Sequence, residues 1–360
     1  MIVTAIILGL YCLMIFSLVY GFSKVESAVP EPGGPVTKFS IVVPFRNEAE
    51  NLPDLLAHLS ALNYPDHLYE IILVDDDSGD GFTTQDDRYR LVRNIRASAS
   101  PKKDAILTAI ATAKHEWIVT TDADCIVSEN WLRMLDGFIR KTHPQMVVGA
   151  VTYVPGNGFL QQFQQSDLAA LQGVTIGSFG LGMPFLCNGA NFAYTKTIFN
   201  QLDGFRGNLN HAGGDDVFLL QKAIAALPDQ VAYLRSGEYT VLTKPAKTWR
   251  ELFQQRVRWA SKTGAYQSRA ARITGALAFF GNLAWIAGLF LFIANPGRWI
   301  ILVLLLLKWC ADGVLIATAN RFLGQPTRYY AASATLYPFF STVVALYSIF
   351  GKYEWKGRRF

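Results

Sequence analysis

Trp117-Ile-Val-Thr-Thr-Asp-Ala-Asp124 is a short apolar run closed by two carboxylates one residue apart. Its β-branched residues and lack of polar alternation predict a strand covered on both faces. Two stretches upstream have the same character: Phe39-Ser-Ile-Val-Val-Pro44, and Glu70-Ile-Ile-Leu-Val-Asp75, which also ends on an acid. Helical stretches at Asn51 to Leu62 and Lys102 to Ala113 alternate with them. The pattern predicts an α/β domain: a mostly parallel sheet flanked by helices, with ligands at the strand ends.

The flanks are different. Of 360 residues 51% are hydrophobic and 17% charged, against about 25% charged in ordinary soluble domains, and the shortage lies at the two ends. A disordered chain, a collagen-like chain and a small disulfide scaffold are excluded. Ile2 to Tyr20 is long enough to cross a hydrocarbon core of roughly 30 Å and lacks a positive n-region and an A-x-A cleavage pattern. It reads as a retained anchor, with a cleaved signal peptide as the alternative. Lys24, the first charge, places the amino terminus outside and the next domain in the cytoplasm.

Ile273 to Ala294 and Trp299 to about Ala319 predict two further spans. Lys308 and Asp312 share one helical face, as a mutually neutralising pair or as a contact for a lipid headgroup. Tyr329 to Phe350 is apolar but interrupted by Pro338. If it crosses once, the basic tail Lys352, Lys356, Arg358 and Arg359 lies outside, against the positive-inside rule; a re-entrant or interfacial segment reconciles the two. The expected organisation is an anchor over 1–22, a linker over 23–37, a cytoplasmic domain over 38–262, membrane helices over 263–350 and a basic tail over 351–360. The net charge of +5, concentrated near the apolar segments, suits anionic lipid headgroups and not nucleic acid. Cys12, Cys125, Cys187 and Cys310 show no metal-site spacing and read as buried reduced thiols.

The acids after the second strand, Asp75, Asp76, Asp77 and Asp80, stand among Gly79 and Gly81 without a GxGxxG or GxxxxGK sequence, which disfavours a dinucleotide fingerprint or a P-loop. Carboxylates do not wrap phosphate, but they accept hydrogen bonds from a base or ribose and leave the diphosphate to a divalent cation. An Asp/Gly turn explains one or two of these acids but not the repeat of the arrangement after the next strand, at Asp122 and Asp124. Asp122 and Asp124, alternating along an extended strand end, are expected to face one cavity and to offer hard oxygen donors to Mg²⁺ or Mn²⁺. Asp216 precedes Val217-Phe-Leu-Leu220 as a helix N-cap would.

Five motifs in order resemble family 2 glycosyltransferases, membrane-anchored enzymes with a GT-A fold: Pro44-Phe-Arg-Asn-Glu48, Val74-Asp-Asp-Asp-Ser78, Asp122-Ala-Asp124, Gly214-Asp-Asp216 and Gln255-Arg-Val-Arg-Trp259. The likeness spans Phe39 to Trp259 and continues into the membrane half. Trp355-Lys-Gly-Arg-Arg359 is similar to the tail of lipid-modifying members such as the ceramide glucosyltransferases. The resemblance implies that Asp75 and Asp76 hold the nucleotide end of the donor, that Asp122 and Asp124 hold cation and diphosphate, and that Glu48 and Lys103 are further donor positions. It makes Asp216 the catalytic base, with Asp215 in place of the commoner Glu; Asp77 stands where Gly is usual.

Gln255, Arg258 and Trp259 share a helix surface able to hydrogen-bond, neutralise diphosphate and stack on a sugar, or simply to anchor at the interface. Thr243-Lys-Pro245 resembles a segment that covers the donor. Asn188-Gly-Ala-Asn191 resembles the acceptor side, a plain turn being the alternative reading, and His211, which adjoins the acidic loop, is a further acceptor-side candidate. The expected activity is metal-dependent inverting transfer from a nucleotide-sugar, read as a UDP-sugar, to a membrane lipid, on the cytoplasmic face of the inner or plasma membrane. A processive β-polysaccharide synthase and a non-enzymatic membrane sugar-binding or scaffold protein are the alternatives.

Overall fold

A computed structural model describes residues 2–211, 213–351, 354–355 and 358–359. Lys352, Lys356 and Gly357 of the expected tail lie outside the described residues. The chain divides into two compact units, one of Glu26–Val154 and Leu186–Lys244, the other of Met1–Val25, Pro155–Phe185 and Pro245–Phe360. Strands and helices are numbered along the whole chain.

The first unit is built on a seven-stranded sheet in the order β3-β2-β1-β4-β8-β6-β9. These are β1 (Phe39–Phe45), β2 (Tyr69–Asp75), β3 (Tyr89–Arg93), β4 (Trp117–Thr120), β6 (Met146–Gly149), β8 (Phe192–Thr195) and β9 (Val231–Leu234). Only β8 runs against its neighbours. Ile41, Val43, Leu73, Val119 and Val147 are buried, as strands covered on both faces require. Phe45 pairs with Asp75 and Val42 with Thr120. The acidic segments after β2 and β4 therefore emerge from one edge, on either side of β1.

Helices α2 (Leu52–Ser60), α3 (Pro101–Thr112), α4 (Trp131–Thr142), α6 (Lys196–Gln201) and α7 (Val217–Ala226) accompany the sheet. In α2, Pro53 sits in the first turn, where its missing N–H costs nothing, and Leu52, Leu55 and Leu59 form the buried stripe. A small second sheet joins β5 (Cys125–Ile126), β10 (Val241–Thr243) and β7 (Val151–Tyr153).

The second unit contains α1 (Ile2–Lys24), α5 (Phe159–Gly180), α8 (Trp249–Ala260), α9 (Arg269–Ala294), α10 (Trp299–Leu323) and α11 (Tyr330–Phe350), followed by the short strands β11 (Glu354–Trp355) and β12 (Arg358–Arg359). Four of these helices, α1, α9, α10 and α11, are long and apolar enough to cross a membrane, with mean hydropathies of 2.6, 2.1, 2.3 and 1.4. α11 is continuous through Pro338, where an interruption was expected.

The amino-terminal helix is part of the bundle. Gly177 and Gly180 of α5 lie on the backbone of Leu18 and Gly21 so closely that a Cβ on either would strike a carbonyl oxygen. Small residues permit this backbone approach between helices, where lipid supplies no hydrophobic drive. Lys308 is buried and donates to Asp312 at 2.7 Å, and the Tyr11 hydroxyl donates to the other Asp312 oxygen at 2.6 Å. The pair is closed on itself, in agreement with mutual neutralisation. Cys12 and Cys125 are buried as expected, but Cys187 is half-buried and Cys310 faces outward from α10; an apolar helix with a lipid-facing side leaves a small apolar thiol exposed without penalty.

Candidate active site

Just beyond β4 the chain turns. The Asp122 carbonyl accepts the Cys125 N–H at 3.1 Å, so Asp122-Ala-Asp124 is not the extended strand end that alternation assumed. Both acids are half-buried. They converge on the Cys125 thiol, whose pKa is raised by burial first and then by the charges of Asp124 and Asp122. Lys102, in the first turn of α3, brings its ammonium to 2.7 Å from Asp122 Oδ1 and 3.5 Å from Asp215 Oδ2. Burial alone would lower its pKa, but Asp122, Asp215 and Asp216 outweigh burial and hold it above the usual lysine range. One ammonium thus links the carboxylate after β4 to the acidic loop before α7.

In that loop Asp216 caps α7. Its Oδ1 accepts the Val217 N–H at 2.7 Å and its Oδ2 accepts the Gly189 N–H at 2.9 Å. The Gly189 carbonyl in turn accepts the Thr120 hydroxyl at 2.7 Å, which ties the end of β4 to Asp216 through one peptide. A Cβ at Gly189 would lie 3.0 Å from Asp215 Oδ2; the absent side chain makes room for the buried Asp215. Capping and site placement coexist at Asp216.

Lys103 faces elsewhere. Fully buried, it donates to the carbonyls of Asn208 and His211 at 2.6 and 3.0 Å and lies 5.2 Å from the Phe218 ring centroid. Ser100 adds a bond from the Gly213 N–H at 3.2 Å. Adjacent lysines thus have different tasks: Lys102 meets carboxylates and Lys103 pins the loop. Sequence reading singled out Lys103 and passed over Lys102, because nothing local tells which of two adjacent lysines points to the strand ends. His211 is exposed, its ring 5.6 Å from Phe218. Asn191 is turned inward, accepting from Trp131 Nε1 at 3.1 Å and donating to the carbonyls of Ala150 and Tyr239 at 2.9 and 2.6 Å. Its hydrogen bonds hold the core together beside the site.

At the end of β2, Asp75 Oδ1 accepts the Ser78 N–H at 2.9 Å and shapes the turn. Asp76 is buried, with Asn94 Nδ2 and Arg96 Nε both at 2.7 Å from Oδ1. Asp77 takes the left-handed conformation, φ 62°, the one that favours the usual Gly there. Glu48 accepts from Asn51 Nδ2 at 2.6 Å, and Asn51 and Asp54 both bind Lys244, at 2.9 Å each. Lys244, in the segment compared with a donor cover, is thus fastened to the start of α2.

Gln255, Arg258 and Trp259 lie on α8, in the other unit. Gln255 and Trp259 both engage Arg256: its guanidinium donates to Gln255 Oε1, stands 4.1 Å from the Trp259 ring centroid and is paired with Asp167 of α5, both partners buried. Arg256 was not among the residues singled out from sequence.

Among the described residues no three His, Cys, Asp or Glu side chains gather as a metal cage. Mg²⁺ or Mn²⁺ needs fewer, since it keeps water and phosphate oxygens and takes one or two carboxylates from the protein. The hard donors Asp122 and Asp124 fit that requirement.

The fold is shared with a mannosyltransferase, PcManGT from Pyrobaculum calidifontis, solved in complex with GDP-Man and Mn²⁺: TM-score 0.57 at 18% identity, over 96% of this chain and 99% of that one. The sheet unit has the GT-A fold. Residues 40–203 match the Glycosyl transferase family 2 model. The poly(ribitol-phosphate) beta-N-acetylglucosaminyltransferase TarS of Staphylococcus aureus is 27% identical over 130 residues, 34% of this chain and 22% of that protein. The glycosyltransferase AglE of Haloferax volcanii is 29% identical over 126 residues, 33% and 41% of the two chains. An undecaprenyl-phosphate 4-deoxy-4-formamido-L-arabinose transferase of Aeromonas hydrophila is 34% identical over 98 residues, 24% and 28%. Each match covers less than half of the relative's length.

Proposed function

We propose that the protein transfers a sugar, with inversion, from a nucleotide-sugar donor, taken as UDP-linked, to a membrane lipid on the cytoplasmic face. The observation that carries this reading is the convergence of Lys102, Asp122, Asp215 and Asp216 at one sheet edge. Asp216, held by two backbone N–H groups, takes the proton of the acceptor hydroxyl. The acceptor oxygen bonds to the anomeric carbon as the bond to the diphosphate breaks, and the nucleoside diphosphate leaves with that electron pair. Lys102 supplies positive charge near the departing diphosphate. Asp122 and Asp124 would hold a divalent cation, which contributes Lewis-acid stabilisation of the leaving group when bound. Asp75 and Asp76 serve the nucleotide end.

Support for a lipid acceptor comes from the four apolar helices and from the undecaprenyl-phosphate named in one relative. A polymer acceptor, as the TarS name states for that protein, is the second reading. The test is a nucleotide-sugar panel with purified protein and membrane lipids, with Mg²⁺ or Mn²⁺, following label into lipid-extractable and polymer fractions. Label in a discrete lipid, lost in Asp216→Asn but not in donor-binding measurements, is the expected result. Long labelled chains would favour the polymer reading, and no incorporation by folded protein would overturn both.

A further inference from the structure

The course of α11 across its neighbours bears on which side of the membrane the tail occupies. α9 and α10 run antiparallel, with Trp285 Nε1 donating to the Leu305 carbonyl at 3.3 Å and Gly288 facing Leu305 and Ile301. Extending that register sets Trp309 and Gly313 of α10 level with residues 281 and 277 of α9. There α11 begins: the Tyr330 hydroxyl donates to the Trp309 carbonyl, and its ring lies against Gly313.

Further along α11, Phe339 meets Trp285 with ring centroids 6.3 Å apart, and the Ser341 hydroxyl accepts from Asn282 at 3.0 Å. From Tyr330 to Ser341 is roughly 16 Å of helix, yet the level of contact on α9 moves by little more than about one turn. A helix crossing beside α9 would keep pace with it; α11 instead lies obliquely across the pair.

Its second half then packs on α8. Phe340 is 6.3 Å from both Trp249 and Phe253, Tyr347 is 5.4 Å from Phe253, and Val344 joins Val257. α8 carries Arg250, Glu251, Arg256 and Arg258 within twelve residues, a charge density that belongs in the headgroup layer and not in hydrocarbon. β11 also lies against α8. By mean hydropathy α11, at 1.4, is the lowest of the four candidate spans.

We infer that α11 is an interfacial segment that does not cross, that the chain crosses three times, through α1, α9 and α10, and that the tail lies against the anionic lipid surface on the side of α8. The charges then agree with the positive-inside rule. Lys24, Arg269, Arg272, Arg321, Arg328 and the tail share one side, and Arg298 alone marks the other.

The test is a reporter fused after Phe360 of the full chain: a green fluorescent protein, which fluoresces only inside, or an alkaline phosphatase, active only outside. Fluorescence without phosphatase activity is expected; the reverse overturns the inference. Because a fusion could disturb insertion, a chain with its four cysteines replaced, carrying Phe350→Cys or Gly297→Cys, is treated with a membrane-impermeant maleimide. Gly297→Cys should react from outside, and Phe350→Cys in inside-out vesicles only. Labelling of Phe350→Cys from outside sinks the proposal. Repeating the fusions on Asp216→Asn keeps the result independent of glycosyl transfer.

Discussion

Gly189 donates its N–H to Asp216 at 2.9 Å, so the geometry of the proposed base depends on a residue that has no side chain to contribute. A methyl group there would meet Asp215 Oδ2 at 3.0 Å and push the peptide away from Asp216. Gly189→Ala should lower the transfer rate about tenfold, from lost orientation, while donor affinity stays within about twofold. Steady-state kinetics beside donor titration separate the two.

Lys102 and Lys103 should fail differently. Lys102→Met leaves Asp122 and Asp215 facing each other without a counter-charge and should reduce transfer by about 10²-fold, in the range seen for loss of one charge-stabilising group. Lys102→Arg should recover part of it. Lys103→Met instead frees the Asn208 and His211 carbonyls, and should raise amide hydrogen exchange across residues 205–211. Exchange mass spectrometry of both variants distinguishes the roles, and equal exchange profiles would refute the division.

Asp77 carries a left-handed backbone with a side chain that is 67% exposed and only loosely paired, Arg46 at 3.6 Å and Arg93 at 3.9 Å. Exposed pairs contribute little. Asp77→Gly should therefore be tolerated and be more stable than Asp77→Ala by about 1 kcal/mol, since Ala meets the full steric cost of that conformation. Thermal melts of the three proteins check the order.

Asp136 gives the sheet unit an acid-sensitive tie. Burial raises its pKa, but hydrogen bonding from the Thr37 side chain, then from the N–H groups of Thr37 and Val36 and from Arg140, outweighs burial and holds it below the usual carboxylate value. A depressed folded pKa stabilises above the unfolded value of about 3.9, and that contribution is lost as pH falls through the folded one. Stability should decline below about pH 4, and Asp136→Asn should flatten that part of the profile in melts from pH 6 to 3.

How much of this was legible depended on range. Phe39–Phe45 and Tyr69–Asp75 announce themselves because a buried strand needs nothing but apolar residues in sequence, and α2 because its leucines recur at helical spacing. The acids were legible as acids. Their geometry was not: Asp122-Ala-Asp124 turns because of a bond to Cys125, and Lys102 reaches Asp215 across more than a hundred residues of chain. Asn191 resembled an acceptor-side position, with a plain turn as the alternative, whereas Trp131, Ala150 and Tyr239, all distant in sequence, engage its amide oxygen and nitrogen.

The close packing of Gly21 on Gly177 and Gly180 also sets an order of manufacture. α1 leaves the ribosome first, but its partner surface on α5 follows about 150 residues later, roughly eight to thirty seconds at usual elongation rates, and α9 and α10 later still. During that interval the glycine of the first helix has no partner helix to cover it. A chain whose synthesis stops before Gly177 would present that uncovered groove to the quality-control machinery of the membrane.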